Sequence, residues 1–262
     1  MMKTKYLYIS IIITMITLLS GFITASTASE LEITESFKAN PLVPTINTAY
    51  LLDKNPSLKA FLMAPVKKSE MITGKRIAIL ATDGVEELEL TSFLNYLKAR
   101  GGVVEIISTK YTPWPDQYGV QYPVSRREYI QTVRFMHNAG LIKIDRFISE
   151  VKASDYDAVI IPGGAWSPDF LRNNKNVLTF VKEMNEAKKP ISSICHGPWV
   201  LINAKIVKGR KMTASWNIFE DLKNAGAIVK NKALVVDDNI MTSRYPTDLS
   251  QIISETVRQI KK

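Results

Sequence analysis

The chain has 262 residues, of which 46% are hydrophobic and 23% are charged, with 12 glycines and 12 prolines. This is the composition of a globular protein, and it excludes a collagen-like, coiled-coil or largely disordered chain. A single cysteine excludes an intramolecular disulfide framework and a cysteine zinc site. Since the chain has only two histidines, few ways remain to build a histidine metal centre, and we expect no bound metal.

The formal net charge of +9 would suit an anionic partner such as nucleic acid. The basic residues, however, lie in scattered pairs such as Lys67-Lys68 and Arg126-Arg127, without interleaved aromatic residues or a DNA-reading motif. The pattern indicates a solvated basic exterior, so we expect no nucleic-acid partner.

The N-terminus has the three-part layout of a secretory signal peptide. Two lysines precede an apolar run from Tyr6 to about Ala25, and a tract of small residues follows it. We expect residues 1–28 to be removed and the mature chain to be exported, to the periplasm or out of the cell. An apolar run of about 20 residues also suffices to span a bilayer, so an uncleaved segment would act as a membrane anchor.

Periodicity divides the remaining chain into an extension and one large domain. Residues 29–74 show no sustained periodicity, and we interpret them as an extension that packs partly on the domain. From residue 75 to 262, β-rich apolar runs alternate with helical apolar stripes, which predicts an α/β fold with a mostly parallel sheet covered on both faces. Strands are predicted at 76–82, 103–108, 158–161, 190–194, 234–236 and 240–242, and helices at 90–97, 177–184, from 198 onward and at 249–260.

Three of the predicted strands end in residues that are unusual for simple turns. The first leads to Glu86-Glu87-Leu88-Glu89, the third to Pro162-Gly163-Gly164, and the fourth to Cys195-His196-Gly197. In parallel sheets, ligands bind at the carboxyl ends of the strands. We therefore expect these three segments to meet in one site.

Cys195 is the candidate nucleophile. It lies between an apolar strand and a helix predicted to begin near Pro198, with Ser193 two residues before it and Gly197 two residues after it. This is the tight strand-turn-helix arrangement of a nucleophile elbow, with cysteine in place of serine. A lone cysteine is most often a small buried hydrophobe, but the N–H groups of a following helix N-terminus favour a thiolate.

His196 is the imidazole beside this cysteine and the candidate general base. Asp169, which follows the third strand, is the carboxylate expected to orient its ring. Ser167-Pro168-Asp169 also has the sequence of a helix N-terminus, with Ser167 as the cap, and both roles can hold at once.

The glycines and acids nearby have candidate roles of their own. Gly163 and Gly164 let backbone N–H groups approach a ligand closely, so these groups are candidate oxyanion donors. Asp83 and Glu86 have the spacing of a helix capping box, which leaves Glu87 and Glu89 unexplained. Glu89 lies one turn before an apolar helix position, and an inward carboxyl there would have a raised pKa and could share a proton with Cys195.

Together these segments resemble the ThiJ/PfpI family, which includes the parkinsonism-associated deglycase and archaeal PfpI-type peptidases. The resemblance covers roughly residues 75–110 and 141–262, and its motifs are 86–89, 155–164, 165–169, 193–198 and 209–213. It implies a flavodoxin-like sandwich, similar to that of class I amidotransferases. It also implies that Cys195 is the nucleophile, His196 its base and Glu89 the carboxyl at the sulfur.

The resemblance further implies a homo-oligomer. In PfpI-type members an acid from a neighbouring subunit completes the site, and its motif position matches Asp169, where the family often has the longer glutamate. Two features depart from the family pattern. One is the export signal, and the other is an aromatic-rich insertion at about 111–140, which is either a lid, an oligomer contact or ordinary surface packing.

Two functions follow from these residues. The first is a cofactor-independent cysteine enzyme that acts on a small carbonyl or peptide substrate, with glyoxalase, deglycase or peptidase chemistry. The alternative is a non-catalytic redox or stress-response protein that senses oxidants through Cys195. A class I glutamine amidotransferase is excluded, because it needs a histidine far downstream of its nucleophile and none follows His196.

Overall fold

The computed structural model describes residues 52–110 and 128–262. All of them belong to one compact unit, Ile46–Lys262, and none of their helices is long and apolar enough to cross a membrane. The predicted signal segment, the first part of the extension and residues 111–127 of the predicted insertion lie outside the described residues.

In the described ranges, strands and helices alternate along most of the chain. The strands are β1 (Arg76–Leu80), β2 (Val85–Glu86), β3 (Val103–Ser108), β4 (Tyr129–Arg134), β5 (His137–Lys143), β6 (Arg146–Phe147), β7 (Ala158–Ile161), β8 (Ile191–Ile194), β9 (Lys211–Met212), β10 (Ile228–Val229), β11 (Leu234–Asp237) and β12 (Ile240–Ser243). The helices are α1 (Pro56–Met63), α2 (Glu87–Ala99), α3 (Trp166–Leu171), α4 (Lys175–Glu186), α5 (Pro198–Asn203), α6 (Phe219–Asn224) and α7 (Leu249–Ile260).

The central sheet has seven strands in the order β11-β12-β8-β7-β1-β3-β6. Only the β11–β12 pair is antiparallel, and every other neighbouring pair is parallel. This confirms the predicted α/β fold with a mostly parallel sheet. In the parallel register β7 and β8 lie side by side, so the residues that follow them emerge at the same edge.

Helices cover both faces of the sheet. Because side chains alternate along a strand, Ile77 and Ile79 of β1 face one core, and Ala78 and Leu80 face the other. The first core is completed by apolar residues of α2 and α7, and the second by those of α4, α5 and α6. The burial of β7 and of the last four residues of β1 is the reason why these strands read as apolar runs in the sequence. Strand β8 is equally buried but carries Ser192 and Ser193 between its two isoleucines.

A second, three-stranded sheet has the order β2-β4-β5. Strands β4 and β5 form an antiparallel hairpin with an irregularity between Thr132 and Val133, and β4 pairs in parallel with β2. The hairpin thus contains residues 129–140 of the predicted insertion and continues to Lys143. The proposed lid or oligomer-contact role of the insertion stays a prediction.

The described part of the extension packs against helix α2. Leu58 of α1 is 3% exposed within the core that α2 and α7 complete. On the same helix, the Phe61 ring stacks on Tyr96 of α2, with centroids 4.7 Å apart. Apolar burial of this kind stabilises the folded state by about 25 cal/mol per Å².

Replacing Leu58 by alanine tests this packing. We expect Leu58→Ala to lower the free energy of unfolding by about 2–4 kcal/mol, because it removes buried methyl groups and leaves a cavity. Met63 of the same helix is 72% exposed, so Met63→Ala should change stability by no more than about 0.5 kcal/mol. Urea denaturation measures both, and equal small effects would show that α1 does not contribute to the core.

Candidate active site

Cys195 lies in the turn between β8 and α5, at the carboxyl edge of the sheet. Its φ is +61°, in the left-handed region, which is unusual for a residue other than glycine. The turn is held from both sides, since the Cys195 N–H donates to the Ser243 carbonyl at 3.1 Å and its carbonyl accepts from the Ser215 N–H at 2.9 Å. The residue remains partly accessible. This is the geometry of a nucleophile elbow, in which tight backbone lifts the reactive side chain out of the sheet.

Gly163 and Gly164 allow the β7 end to pass close to this elbow. A Cβ on Gly163 would lie 2.5 Å from the Cβ of Cys195, and a Cβ on Gly164 would lie 2.1 Å from the Gly84 carbonyl oxygen. Gly164 also has a φ of +79°. Glycine is therefore needed at position 163 because the backbone there passes close to the Cys195 side chain. It is needed at position 164 because the backbone there passes close to the backbone of Gly84.

Glu89 is fully buried, with 0% exposure, and its carboxyl hydrogen-bonds with the Cys195 side chain. Its Oε2 accepts a hydrogen bond from the Gly163 N–H at 2.6 Å, and its Oε1 is buried without a hydrogen-bond partner among the described residues. Burial raises the pKa of this carboxyl well above its ordinary value, and the charge of Glu86 raises it further. The Glu89 carboxyl therefore favours the protonated form beside Cys195.

The thiol does not have the lowered pKa that the helix N-terminus led us to expect. Burial raises the pKa of Cys195, and an ionised Glu89 raises it further, whereas the N–H groups of Gly164 and His196 lower it. The helix contribution is outweighed by the burial of the sulfur and then by the charges of Glu89 and Glu86. A protonated Glu89 removes one of these repulsions.

Glu86 is a second buried carboxyl, 4% exposed, that the sequence analysis assigned to a capping box. That assignment was wrong, because helix α2 begins at Glu87 with Glu86 itself in the N-cap position. The Asp83 carboxylate instead accepts from the Gln131 N–H, and Glu86 Oε2 accepts from the Phe135 N–H at 2.8 Å. Burial raises the pKa of Glu86 to about 7.

His196 lies between the sulfur and a side-chain amide. Its Nδ1 is 3.2 Å from Cys195 Sγ, and its Nε2 is 2.9 Å from the side-chain nitrogen of Asn217. Burial lowers the pKa of His196, partly offset by the charge of Asp221. A neutral imidazole at neutral pH with one nitrogen facing a thiol is suited to accept its proton.

Asp169 does not orient His196 within this chain. Its Oδ1 accepts from Arg172, at 2.9 Å from Nε and 2.5 Å from Nη2. The expected cap was also wrong, because helix α3 begins at Trp166, one residue before Ser167, and the Ser167 hydroxyl accepts from the Thr82 N–H. The role of Asp169 across an interface between two copies stays a prediction.

Of the two oxyanion candidates, Gly163 and Gly164, only Gly163 differs from expectation. The Gly163 N–H already donates to Glu89, so it is engaged in this arrangement. The backbone N–H groups that face the sulfur are those of Gly164 and His196. Sequence reasoning did not identify the His196 N–H or the Asn217 amide, since the first is a backbone group and the second lies in a loop with no recognisable motif.

Alanine substitution at Gly164 tests the backbone approach. We expect Gly164→Ala to lower the free energy of unfolding by roughly 3 kcal/mol or more, because the new Cβ overlaps a carbonyl oxygen and the backbone is left-handed. Gly74 has a nearly equal φ of +77° but nothing within 4 Å of its Cβ position, so Gly74→Ala should cost only about 1–2 kcal/mol. If urea denaturation gives the same loss for both, overlap with Gly84 is not what excludes a side chain at position 164.

The raised pKa of Glu86 predicts a specific dependence of stability on pH. Since the folded state holds this proton up to about pH 7 and an unfolded glutamate releases it near 4.5, stability from this group is complete at low pH and falls as pH rises from about 4.5 to 7. The loss is of the order of 3 kcal/mol. Glu86→Gln should remove this part of the slope.

Urea denaturation at several pH values measures the effect, with Glu183→Gln on the exposed side of α4 as the control. An unchanged slope in Glu86→Gln would mean that Glu86 is ionised in the folded protein.

Comparisons with known proteins agree with this geometry. The sequence profile of the DJ-1/PfpI family matches residues 75–259. The chain is 39% identical over 187 residues to a protein named putative cysteine protease YraA from Bacillus subtilis, which covers 71% of this chain and 99% of that one. It is 36% identical to protein/nucleic acid deglycase 2 from Escherichia coli, over 70% of this chain and 96% of that one.

Solved structures show the same fold. A two-domain protein from Anabaena variabilis with a DJ-1/ThiJ/PfpI-like domain matches with a TM-score of 0.63 and 33% identity, over 71% of this chain and 48% of that chain. A Schizosaccharomyces pombe DJ-1 mutant matches with a TM-score of 0.60 at 19% identity, over 71% and 91%. These likenesses confirm the expected flavodoxin-like α/β fold, and the chain belongs to the DJ-1/PfpI family.

Proposed function

We propose that the chain is a cofactor-independent cysteine enzyme that acts on carbonyl compounds. One observation carries the proposal: at a strand-helix elbow, the sulfur of Cys195 lies 3.2 Å from Nδ1 of His196. A nucleophile within hydrogen-bond reach of a base is the recurring signature of covalent catalysis. The buried Glu89 carboxyl, which also contacts Cys195, supplies a second group that can hold a proton.

The protonation states of Cys195 and His196 favour transfer of the thiol proton to the imidazole as the sulfur attacks. Because burial raises the pKa of Cys195 and lowers that of His196, the resting pair is a neutral thiol beside a neutral imidazole. As sulfur attacks a carbonyl carbon, the S–H proton passes to His196 and a carbon–sulfur bond forms. A neutral pair avoids the cost of burying two charges before substrate arrives.

The carbonyl oxygen needs hydrogen-bond donors as it gains charge. The Gly164 and His196 N–H groups face the sulfur, and backbone donors fixed by tight turns cost no reorganisation in the transition state. The oxyanion of the adduct can then take a proton either from the protonated Glu89 or from the His196 imidazolium. Addition to an aldehyde would then give a hemithioacetal, and addition to an amide a tetrahedral intermediate.

The names of the relatives support this class of chemistry. One relative is named a deglycase and another a putative cysteine protease. We therefore propose deglycase, glyoxalase or peptidase chemistry on a small carbonyl or peptide substrate.

Substitution of the two central residues tests the proposed function. With methylglyoxal, glycated peptides and casein as substrates, we expect Cys195→Ser to abolish turnover and His196→Gln to lower it about 10²–10⁴-fold. The chain has one further histidine, His137 on β5, and His137→Gln should retain wild-type turnover. Turnover that survives Cys195→Ser would refute the nucleophile assignment.

The pH dependence gives a second test. Since the pKa of His196 is lowered from 6.5, kcat/KM should rise with pH through a midpoint below 6.5 and should reach its plateau before neutrality. A midpoint well above 6.5 would mean that the imidazole is not the base. Oxidation of Cys195 by mild peroxide without turnover of any carbonyl substrate would favour the redox-sensing alternative.

A further inference from the structure

Asn217 lies in the short turn Trp216–Ile218 that precedes helix α6, and its side-chain amide is 2.9 Å from Nε2 of His196. The other ring nitrogen faces Cys195 Sγ at 3.2 Å. Both nitrogens of His196 are thus engaged, one by the sulfur and one by Asn217. No motif in the sequence pointed to this residue.

The turn that carries Asn217 is fixed to the elbow. The Ser215 N–H donates to the Cys195 carbonyl at 2.9 Å, and the Ile218 N–H closes the turn onto the Ser215 carbonyl at 3.1 Å. The Trp216 N–H donates to the Tyr245 hydroxyl, and the Ile218 side chain is buried in the core. The position of the amide relative to the imidazole is therefore set by the same backbone that sets the cysteine.

We propose that Asn217 is the positioning residue for His196, so that one chain holds a complete Cys195–His196–Asn217 arrangement. The proposal rests on the proposed function of Cys195 as the nucleophile. An amide has the chemistry that the position requires, because it offers both a hydrogen-bond acceptor and a donor to the ring.

The position of the hydrogen on the His196 ring determines which atom of the Asn217 amide must face it. For Nδ1 to accept the thiol proton, the imidazole must carry its hydrogen on Nε2, and that hydrogen needs an acceptor. The Asn217 carbonyl oxygen meets this need after a half-turn of the amide, which exchanges oxygen and nitrogen without changing the shape of the group. The same oxygen continues to accept from Nε2 once the ring is an imidazolium.

The charged groups around the ring do not take this role. Asp221 of α6 accepts from the Trp199 indole at 2.7 Å, and the Arg172 guanidinium lies over the other side of the Trp199 ring. Trp199 itself meets the His196 ring edge to face. In the described ranges, no carboxylate has a hydrogen bond to His196. An acid from a second copy would have to displace Asn217 from Nε2.

The test uses the full chain and follows two side chains, Cys195 by its alkylation and His196 by NMR. With one cysteine and two histidines, iodoacetamide labelling reports Cys195 alone, and NMR of labelled histidine resolves His196 once His137→Gln has assigned the other signal. The variants are Asn217→Asp, Asn217→Ala and Asp169→Asn. Asn224→Ala, an exposed asparagine at the end of α6, is the control.

We expect Asn217→Asp to raise the pKa of His196 by about 1 unit or more, because a carboxylate at Nε2 favours the imidazolium. The pH profile of Cys195 alkylation should move to lower pH in the same variant, since a more basic imidazole takes the thiol proton more readily. Asn217→Ala should lower kcat about tenfold or more, with KM nearly unchanged, because the base is no longer oriented. Asn224→Ala and Asp169→Asn should leave the pKa of His196 unchanged.

Two results would overturn the proposal. One is a His196 pKa and an alkylation profile that are the same in wild type and Asn217→Asp. The other is a shift caused by Asp169→Asn instead, which would assign the orienting role to an acid of a second copy.

The two hypotheses fail in different ways. If no carbonyl substrate is turned over but Asn217→Asp shifts both readouts, the proposed function fails and the positioning role stands. If turnover requires Cys195 but neither Asn217 variant changes the readouts or kcat, the positioning role fails alone.

Discussion

The contact between the buried Glu89 carboxyl and the Cys195 thiol is the interaction on which the site depends. Glu89 has no exposure to water, and its carboxyl hydrogen-bonds with the Gly163 N–H at 2.6 Å and with the Cys195 side chain. These two hydrogen bonds do not offset the cost of burying a full negative charge, so the carboxyl favours its protonated form. The sulfur is therefore in contact with both a neutral acid and the His196 imidazole, and a proton can move among these groups without a change in the net charge of the site.

The backbone around Glu89 and Cys195 is held in one tight conformation. Cys195 has a left-handed φ of +61°, and Gly163 and Gly164 come so close to the elbow and to Gly84 that a Cβ on either would overlap a neighbour. Strain of this kind persists only where the surrounding structure holds it, as the parallel strands β7 and β8 do here. Catalytic groups fixed in this way need no reorganisation before reaction.

Much of the fold could be predicted from the sequence, because the buried parallel strands and the apolar stripes of α2, α4 and α7 give strong local signals. The meeting of Glu89, Gly163 and Cys195 followed from the rule that the carboxyl ends of parallel strands lie at one edge. The predictions that failed concern groups whose partners are distant in sequence. Asp83 and Glu86 looked like a local capping box, but they bind the β4–β5 hairpin.

The same limit applies to the electrostatics. The dipole of α5 is visible in the sequence and suggested a thiolate, whereas the opposing burial and the two carboxyls around Cys195 depend on the folded core. The orienting partner of His196 depends on tertiary contacts as well, since the loop with Asn217 is tied to the elbow by backbone hydrogen bonds. Local patterns locate the nucleophile, and long-range contacts determine how its proton is held.

Infrared spectroscopy tests the central claim most directly, because a protonated carboxyl and an ionised one absorb at separate C=O stretching frequencies. At a pH at which an ordinary glutamate is ionised, protein with Glu86→Gln should still show the band of a protonated carboxyl. This band should vanish when Glu89→Gln is added and shift when Cys195→Ser is added. A spectrum of Glu86→Gln in which every carboxyl is ionised at that pH would contradict the claim that Glu89 keeps its proton beside the sulfur.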